Sequence, residues 1–275
     1  MTLRVGSHIP PLTDADQGAG SVPPRTARAA PGDGYSRASA PYPPTTSGGI
    51  GNAAAVAFAE KGATIAIHYS GNEAKAKATL EAVEKAGGSG AIFQADLSRV
   101  SEITRLYDEV YARFGSLDVV FLNSGVLHVG TIRDTPEDVY DHLMDVNVKG
   151  TFFSMQEAIK RMGKGGVIIL NSSVAGSHPI ADHVCYCASK AAVNMLTKCG
   201  AKEAGEKGIR VNAVAPGPVL PGMFPASMRK DREAMSPFKR IGEAKEVAAL
   251  CVALASEDMG WVSGQVIGVD GAAYC

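Results

Sequence analysis

The chain reads as α/β: a single domain on a doubly wound parallel sheet, with its first strand absent or replaced. Three observations predict this. From residue 46 onward, apolar runs of strand length alternate with segments of helical spacing, the order that gives parallel strands joined by right-handed crossovers. Several runs, such as "LDVVFLNSG" (117–125) and "GGVIILNSS" (165–173), are continuous rather than alternating, as strands covered on both faces must be. Residues with chemical use come directly after the strands, at the carboxyl edge where open α/β sheets bind ligands.

The first helix runs over 52–61 and stops at Gly62; the strand "ATIAIHY" spans 63–69; a helix covers 72–88 and ends in glycines. The strand "GAIFQADL" spans 90–97, and the helix over 100–115 shows its spacing at Ile103, Leu106 and Val110. After the strand at 117–125, one long helix is expected from Pro136 to Met162. The strand at 165–173, a helix over 184–205, the strand "GIRVNAVAPG" (208–217), a helix over 243–256 and the strand "GQVIGVDG" (264–271) complete the pattern.

Composition narrows the function. Of 275 residues, 45% are apolar and 20% charged, and the formal net charge is -1. That is enough apolar material for a large core, and it gives no reason to expect nucleic acid or a membrane surface as partner. No apolar run reaches the roughly 18 residues of a membrane span. The five cysteines form no paired framework, which points to a reducing compartment and a cytoplasmic protein. Cys185 and Cys187 lack a second ligand pair at zinc spacing, so packing is expected of them and no metal.

Residues 1–45 differ from the remainder of the chain. Eight prolines fall between Pro10 and Pro44, with only Leu12 and Val22 for aliphatic bulk there. Such a segment cannot offset its ordering entropy, so disorder, or a stretch foreign to the domain beyond it, is expected. Ser47-Gly48-Gly49-Ile50-Gly51 then opens an alanine-rich helix, the form of a turn that cradles phosphate at a helix start. The buried strand that should precede such a turn is missing: Pro41, Pro43 and Pro44 stand there instead, and proline is poorly tolerated in a central strand.

The chemistry gathers further on. Tyr186 and Lys190 stand four apart on a helix, hence on one face. A nearby ammonium stabilises phenolate; moving a tyrosine from pKa ~10 to about 7 takes roughly 4 kcal/mol. Thirteen residues before Tyr186, Ser173 leaves a strand where it can donate to a substrate oxygen. Asn147 falls within the long predicted helix, where asparagine is a mediocre helix former.

Together with "NSGV" (123–126), "NVKG" (147–150), "NSSVAG" (171–176), "YCASK" (186–190), "VNAVAPGPV" (211–219) and "WVSGQVIGVDG" (261–271), these residues resemble the short-chain dehydrogenase/reductase family over about residues 46–275. The resemblance implies a Rossmann-type sheet and hydride transfer between a nicotinamide cofactor and a carbonyl or alcohol. It makes Tyr186 the general acid or base, Lys190 its electrostatic partner and ribose anchor, Ser173 the substrate-orienting hydroxyl and Asn147 the support of a water-linked proton relay to Lys190. It assigns the cofactor to Ser47, Gly49, Ile50, Gly51, Tyr69, Ser70, Asp96, Leu97, Asn123, Gly125, Tyr186, Lys190, Pro216, Gly217 and Val219. Thr45 and Pro44 depart from the family's opening Thr-Gly, and Pro221 from its threonine. No acid stands in His68-Tyr69-Ser70-Gly71-Asn72, where that strand ends, so NADP(H) is favoured over NAD(H).

The family also implies a lid over residues 217–242, here carrying Met223, Phe224, Met228 and Met235. It implies a homotetramer or homodimer, with Trp261 at an interface or in the core. The nearest look is that of fungal polyhydroxynaphthalene and versicolorin reductases, hence reduction of an aromatic polyketide ketone. His178 is an exposed loop residue in one reading and a lining of the substrate mouth in the other. The alternative to an active reductase is an impaired homologue, because the glycine turn is incomplete.

Overall fold

A computed structural model describes residues 2–5, 49–222 and 226–274. Nine strands alternate with eight α-helices among them. In chain order they are β1 (Thr2–Val5), α1 (Ile50–Ala59), β2 (Thr64–Tyr69), α2 (Glu73–Lys85), β3 (Ser89–Gln94), α3 (Val100–Phe114) and β4 (Val119–Leu122). Then come α4 (Glu137–Met144), α5 (Gly150–Arg161), β5 (Val167–Asn171), α6 (Val184–Ala204), β6 (Arg210–Pro216), β7 (Val219–Leu220), α7 (Arg229–Met235), β8 (Gly242–Glu243), α8 (Ala244–Ala255) and β9 (Val266–Val269). Seven strands form the main sheet in the order β3-β2-β1-β4-β5-β6-β9. This is the doubly wound arrangement that the alternation predicts.

The sheet is sealed on both faces. Residues of α1, α2 and α8, among them Phe58, Val83 and Val247, pack on one side. Those of α3, α5 and α6, among them Leu106, Ala158 and Val193, pack on the other. Every residue of β4 and the first four of β5 are buried, which is why those strands read as unbroken apolar runs.

The central slot corrects the sequence expectation in one respect. It is filled, by Thr2–Val5, and this strand runs antiparallel to both neighbours: Thr2 pairs with Ile67 and Phe121, Val5 with Thr64. The remaining pairs of the main sheet are parallel. The physical demand is plain. Ile65, Val120 and Phe121 are fully buried, and backbone groups beside them need hydrogen-bond partners. Either strand direction supplies those. The direction matters for the connection: β1 ends at the edge of the sheet opposite the one on which Gly49 opens α1.

The long helix expected over 136–162 is two helices. Between α4 and α5, Asp145–Lys149 form a π-helical turn that carries Asn147. Such turns re-aim a helix and recur at functional sites. Gly150, just after it, sits against the loop beyond β3; a Cβ there would lie 2.7 Å from the Leu97 carbonyl oxygen. The predicted lid contains order of its own: β7 pairs with β8, and α7 lies between them in sequence. Met223 and Phe224 lie outside the described residues. Trp261 is fully exposed rather than in the core.

Candidate active site

One cavity of about 800 Å³ opens along the carboxyl edge of the sheet, within the usual range for a bound cofactor or ligand. Its walls come from the start of α1, the ends of β2, β4, β5 and β6, and the start of α6. The crossover topology puts all of these on one edge.

At one end lies the glycine turn. Gly49, Ile50 and Gly51 line the cavity, and α1 starts with neither a capping side chain nor an acid in its first turn. A helix start of that kind favours an anion. Gly51 is needed for a close approach: a Cβ on it would lie 2.7 Å from Asn123 Nδ2. Asn123 is itself held, its Oδ1 accepting from Asn171 Nδ2 at 2.8 Å. Ser47 lies outside the described residues. Asp96 and Leu97 line the cavity after β3. Ser98 donates to Asp96 Oδ1 from its hydroxyl at 2.7 Å and its amide at 3.0 Å, and these bonds hold the Asp96 carboxyl below its ordinary value. Tyr69 and Ser70 line the wall at the end of β2. His68 beside them is neutral: burial pushes it down to about 3, and its Nε2 lies 2.9 Å from the Ala95 carbonyl oxygen.

The middle holds the reactive set. Lys190 is 4% exposed, and its Nζ donates to the Asn171 carbonyl at 2.7 Å. Burial lowers its pKa to about 8. The same Nζ stands 5.6 Å from the centroid of the Tyr186 ring. Tyr186 is pushed above its ordinary value, mainly by burial, with a hydrogen bond to Ser173 opposing. The sequence alone ascribes a lowering of Tyr186 to Lys190. Here burial outweighs the lowering contribution of the Ser173 hydrogen bond.

Ser173 Oγ accepts from the Ala175 amide at 3.1 Å and lies 3.5 Å from the Pro216 carbonyl. Ser172 turns the other way and bonds Asn194 on α6. Asn147 is buried with both amide atoms engaged: Oδ1 accepts from Val126 N at 2.7 Å, and Nδ2 donates to Val126 O and Ser189 Oγ. Its side chain therefore ties the turn after β4 to α6 and has no bond to Lys190. Gly125 floors this region; a Cβ there would approach Asn147 Oδ1 to 3.3 Å and Lys190 Nζ to 3.4 Å. Pro216, Gly217 and Val219 form the wall after β6.

Sequence reasoning missed several lining residues. Asn171, Lys75, Arg232 and Tyr274 all line the cavity, and so does His183, which the sequence sets near the active-site loop. His178 is exposed, with its ring 5.7 Å from that of Tyr274, while His183 takes the lining place. A signal existed for Asn171, which ends the strand before Ser173. None existed for Lys75, since lysines at helix spacing read as a solvated face. Among the described residues no group of side chains could hold a metal, and Cys185 and Cys187 are free thiols.

The residues fit a dinucleotide. Asn52 Oδ1 and Asn171 Oδ1 are buried cavity-lining acceptors without a hydrogen-bond partner among the described residues, and ribose hydroxyls or a carboxamide are donors of the right kind.

Comparison with known proteins agrees. Residues 45–272 match the family described as enoyl-(acyl carrier protein) reductase. A probable tetrahydroxynaphthalene reductase of Zymoseptoria tritici is 37% identical over 241 residues, 82% of this chain and 90% of that protein. A versicolorin reductase of Emericella nidulans is 34% identical over 242 residues, covering 82% and 92%. The structure of a short-chain dehydrogenase from Burkholderia cenocepacia in complex with NADP matches with a TM-score of 0.80 at 31% identity, covering 83% of this chain and 95% of that one. The chain belongs to the short-chain dehydrogenase/reductase family, the oxidoreductases that act on alcohol and carbonyl groups.

Proposed function

We propose that the chain is an NADP(H)-dependent reductase of an aromatic polyketide ketone, with Tyr186 as proton donor. The observation that carries this is the meeting of Ser173 and Tyr186 in the cavity that the glycine turn opens, with the buried Lys190 Nζ 5.6 Å from the centroid of the Tyr186 ring. When bound, the cofactor supplies the hydride for the carbonyl carbon. As charge grows on the carbonyl oxygen, Tyr186 gives it the phenolic proton and Ser173 donates a hydrogen bond. Both act most strongly on the developing charge, so they raise the rate rather than mere binding. Burial keeps the Tyr186 phenol protonated, which suits a donor in the reducing direction. Lys190 has two N–H donors beyond the one spent on Asn171, enough to hold the nicotinamide ribose. Asn147 is a positioning residue in this reading, fixing the turn at Val126.

Lys75 supports the choice of NADP(H). It lines the cavity near the end of β2 and has no ion-pair partner among the described residues. The nearby acid Glu73 is bonded to Lys77 at 2.8 Å. Asp96 is the only carboxylate among the described residues that line the cavity. A 2′-phosphate there meets a cation, and the nearby acid is already held by Lys77. The names of the fungal relatives support the substrate class. We further propose a cytoplasmic homodimer or homotetramer; Phe152, Met195 and Trp261 leave apolar surface exposed, and light scattering tests the assembly.

The test of the activity is NADPH oxidation with hydroxylated tetralones and naphthalenones. Wild type should turn over; Tyr186→Phe should bind NADPH as well but not react. Equal rates in the two proteins would overturn the reading.

A further inference from the structure

His183 stands at the cavity wall three residues before Tyr186, at the residue that precedes α6. Its place is built with care. The Gly130 amide donates to the Asp182 carbonyl at 2.7 Å, and Gly130 bridges to His183. Asp182 adopts φ 59° to make this turn. A non-glycine residue in the left-handed region costs free energy, and such residues cluster where a side chain must be aimed. The side chain of His183 does not cap the helix.

The hydrogen bond it does make decides what it can offer. His183 Nδ1 lies 2.8 Å from the Ala181 carbonyl oxygen. A carbonyl only accepts, so Nδ1 carries the proton, and in that tautomer Nε2 is the acceptor. Nδ1 is tied back to the backbone, so Nε2 lies on the opposite edge of the ring. It has no protein partner among the described residues. The His183 amide donates to the Ile180 carbonyl at 3.2 Å, and the same cavity is lined by Ile180, Tyr274 and Arg232, which bring apolar surface, a phenol and a cation to it. A fixed acceptor near the proton donor is of little use to a bare ketone, but it reads a hydroxyl.

We infer that His183 is a substrate-recognition residue that accepts a hydrogen bond from a hydroxyl of the substrate other than the group being transformed, so that the preferred substrates are hydroxylated aryl ketones. This rests on the reductase reading above and narrows its substrate class. A site built to bond a hydroxyl discriminates against the analogue that lacks it, and one neutral bond corresponds to about a tenfold preference.

The experiment compares 1-tetralone with its ring-hydroxylated isomers in two ways: kcat/KM with saturating NADPH, and equilibrium binding to the protein loaded with NADP+, to which the ketone cannot lose its place by reaction. Wild type should favour one hydroxylated isomer by about tenfold in both. His183→Phe keeps an aromatic ring but no acceptor, and the preference should fall to about one. His183→Gln, with an amide oxygen as acceptor, should keep much of it, and circular dichroism confirms that each variant is folded. A wild-type ratio near one, or a His183→Phe ratio within twofold of wild type, overturns the inference while leaving the reductase reading intact. A binding preference that depends on His183 without any turnover supports the inference and overturns the reductase reading.

Discussion

The two ends of the cavity are built differently. The catalytic end lies on β4, β5, β6 and α6, all in the order and direction of the family pattern. Its parts hold one another: Asn147 bonds Val126 and Ser189, Ser172 bonds Asn194, and Lys190 bonds Asn171. The phosphate end has a helix start and two well-placed glycines, Gly49 and Gly51, but its strand comes from Thr2–Val5 in reverse. The lesson is that a catalytic constellation and a cofactor cradle can vary separately, because the sheet needs only some strand in its central slot. Chemistry should therefore be robust in this chain, and cofactor affinity should be its weak point.

The largest expected effect is on the robust side. Tyr186→Phe should lower kcat by on the order of a thousandfold, with the NADPH dissociation constant unchanged; stopped-flow and fluorescence titration read the two separately. Ser173→Ala should cost about tenfold to a hundredfold in kcat, while Ser172→Ala should leave kcat within a few-fold and lower the melting temperature, since Ser172 only braces α6.

The phosphate end gives effects of another kind. Gly51→Ala puts a methyl 2.7 Å from Asn123 Nδ2, and that side chain is pinned by Asn171. The NADPH dissociation constant should rise by about tenfold or more, with kcat at saturation little changed. Lys75→Gln should reduce the preference for NADPH over NADH by about tenfold, read by titration with each cofactor.

The smallest effect sharpens the comparison through stability. Burial lowers Lys190 from 10.5 to about 8, so the unfolded chain holds its proton more tightly than the folded one. The penalty for burying the ammonium is fully present below about pH 8 and is relieved as pH rises toward the unfolded value. Relative to Lys190→Met, wild type should therefore gain stability between pH 8 and 10, by no more than about 3 kcal/mol. Urea melts of both proteins across that range check the sign.

Much of the fold and the site is legible in the residues. The continuous runs at β4 and β5 announce a doubly covered sheet, and the motif residues after them fall at its carboxyl edge. The features that escape have physical reasons. β1 is four residues long and far in sequence from the turn it stands in for, and pairing between strands depends on backbone groups that carry no sequence signature. The π-helical turn at Asn147 is followed by Gly150, where a Cβ would lie 2.7 Å from the Leu97 carbonyl oxygen, a close approach between distant segments that local spacing does not announce. The choice of His183 over His178 depends on the left-handed turn at Asp182, which no residue pattern marks. Lys75 looks like any exposed helix lysine until β2 and α2 are set beside the cavity.

The central claim is that this chain builds a working NADP(H) site although its glycine turn is incomplete. Titration of the folded, full-length protein with NADPH, tracked by the change in nicotinamide fluorescence, tests it most directly. The account predicts saturable binding with a dissociation constant on the order of ten to a hundred micromolar, and weaker binding of NADH. A folded protein that shows no saturation with NADPH up to millimolar concentrations would contradict it.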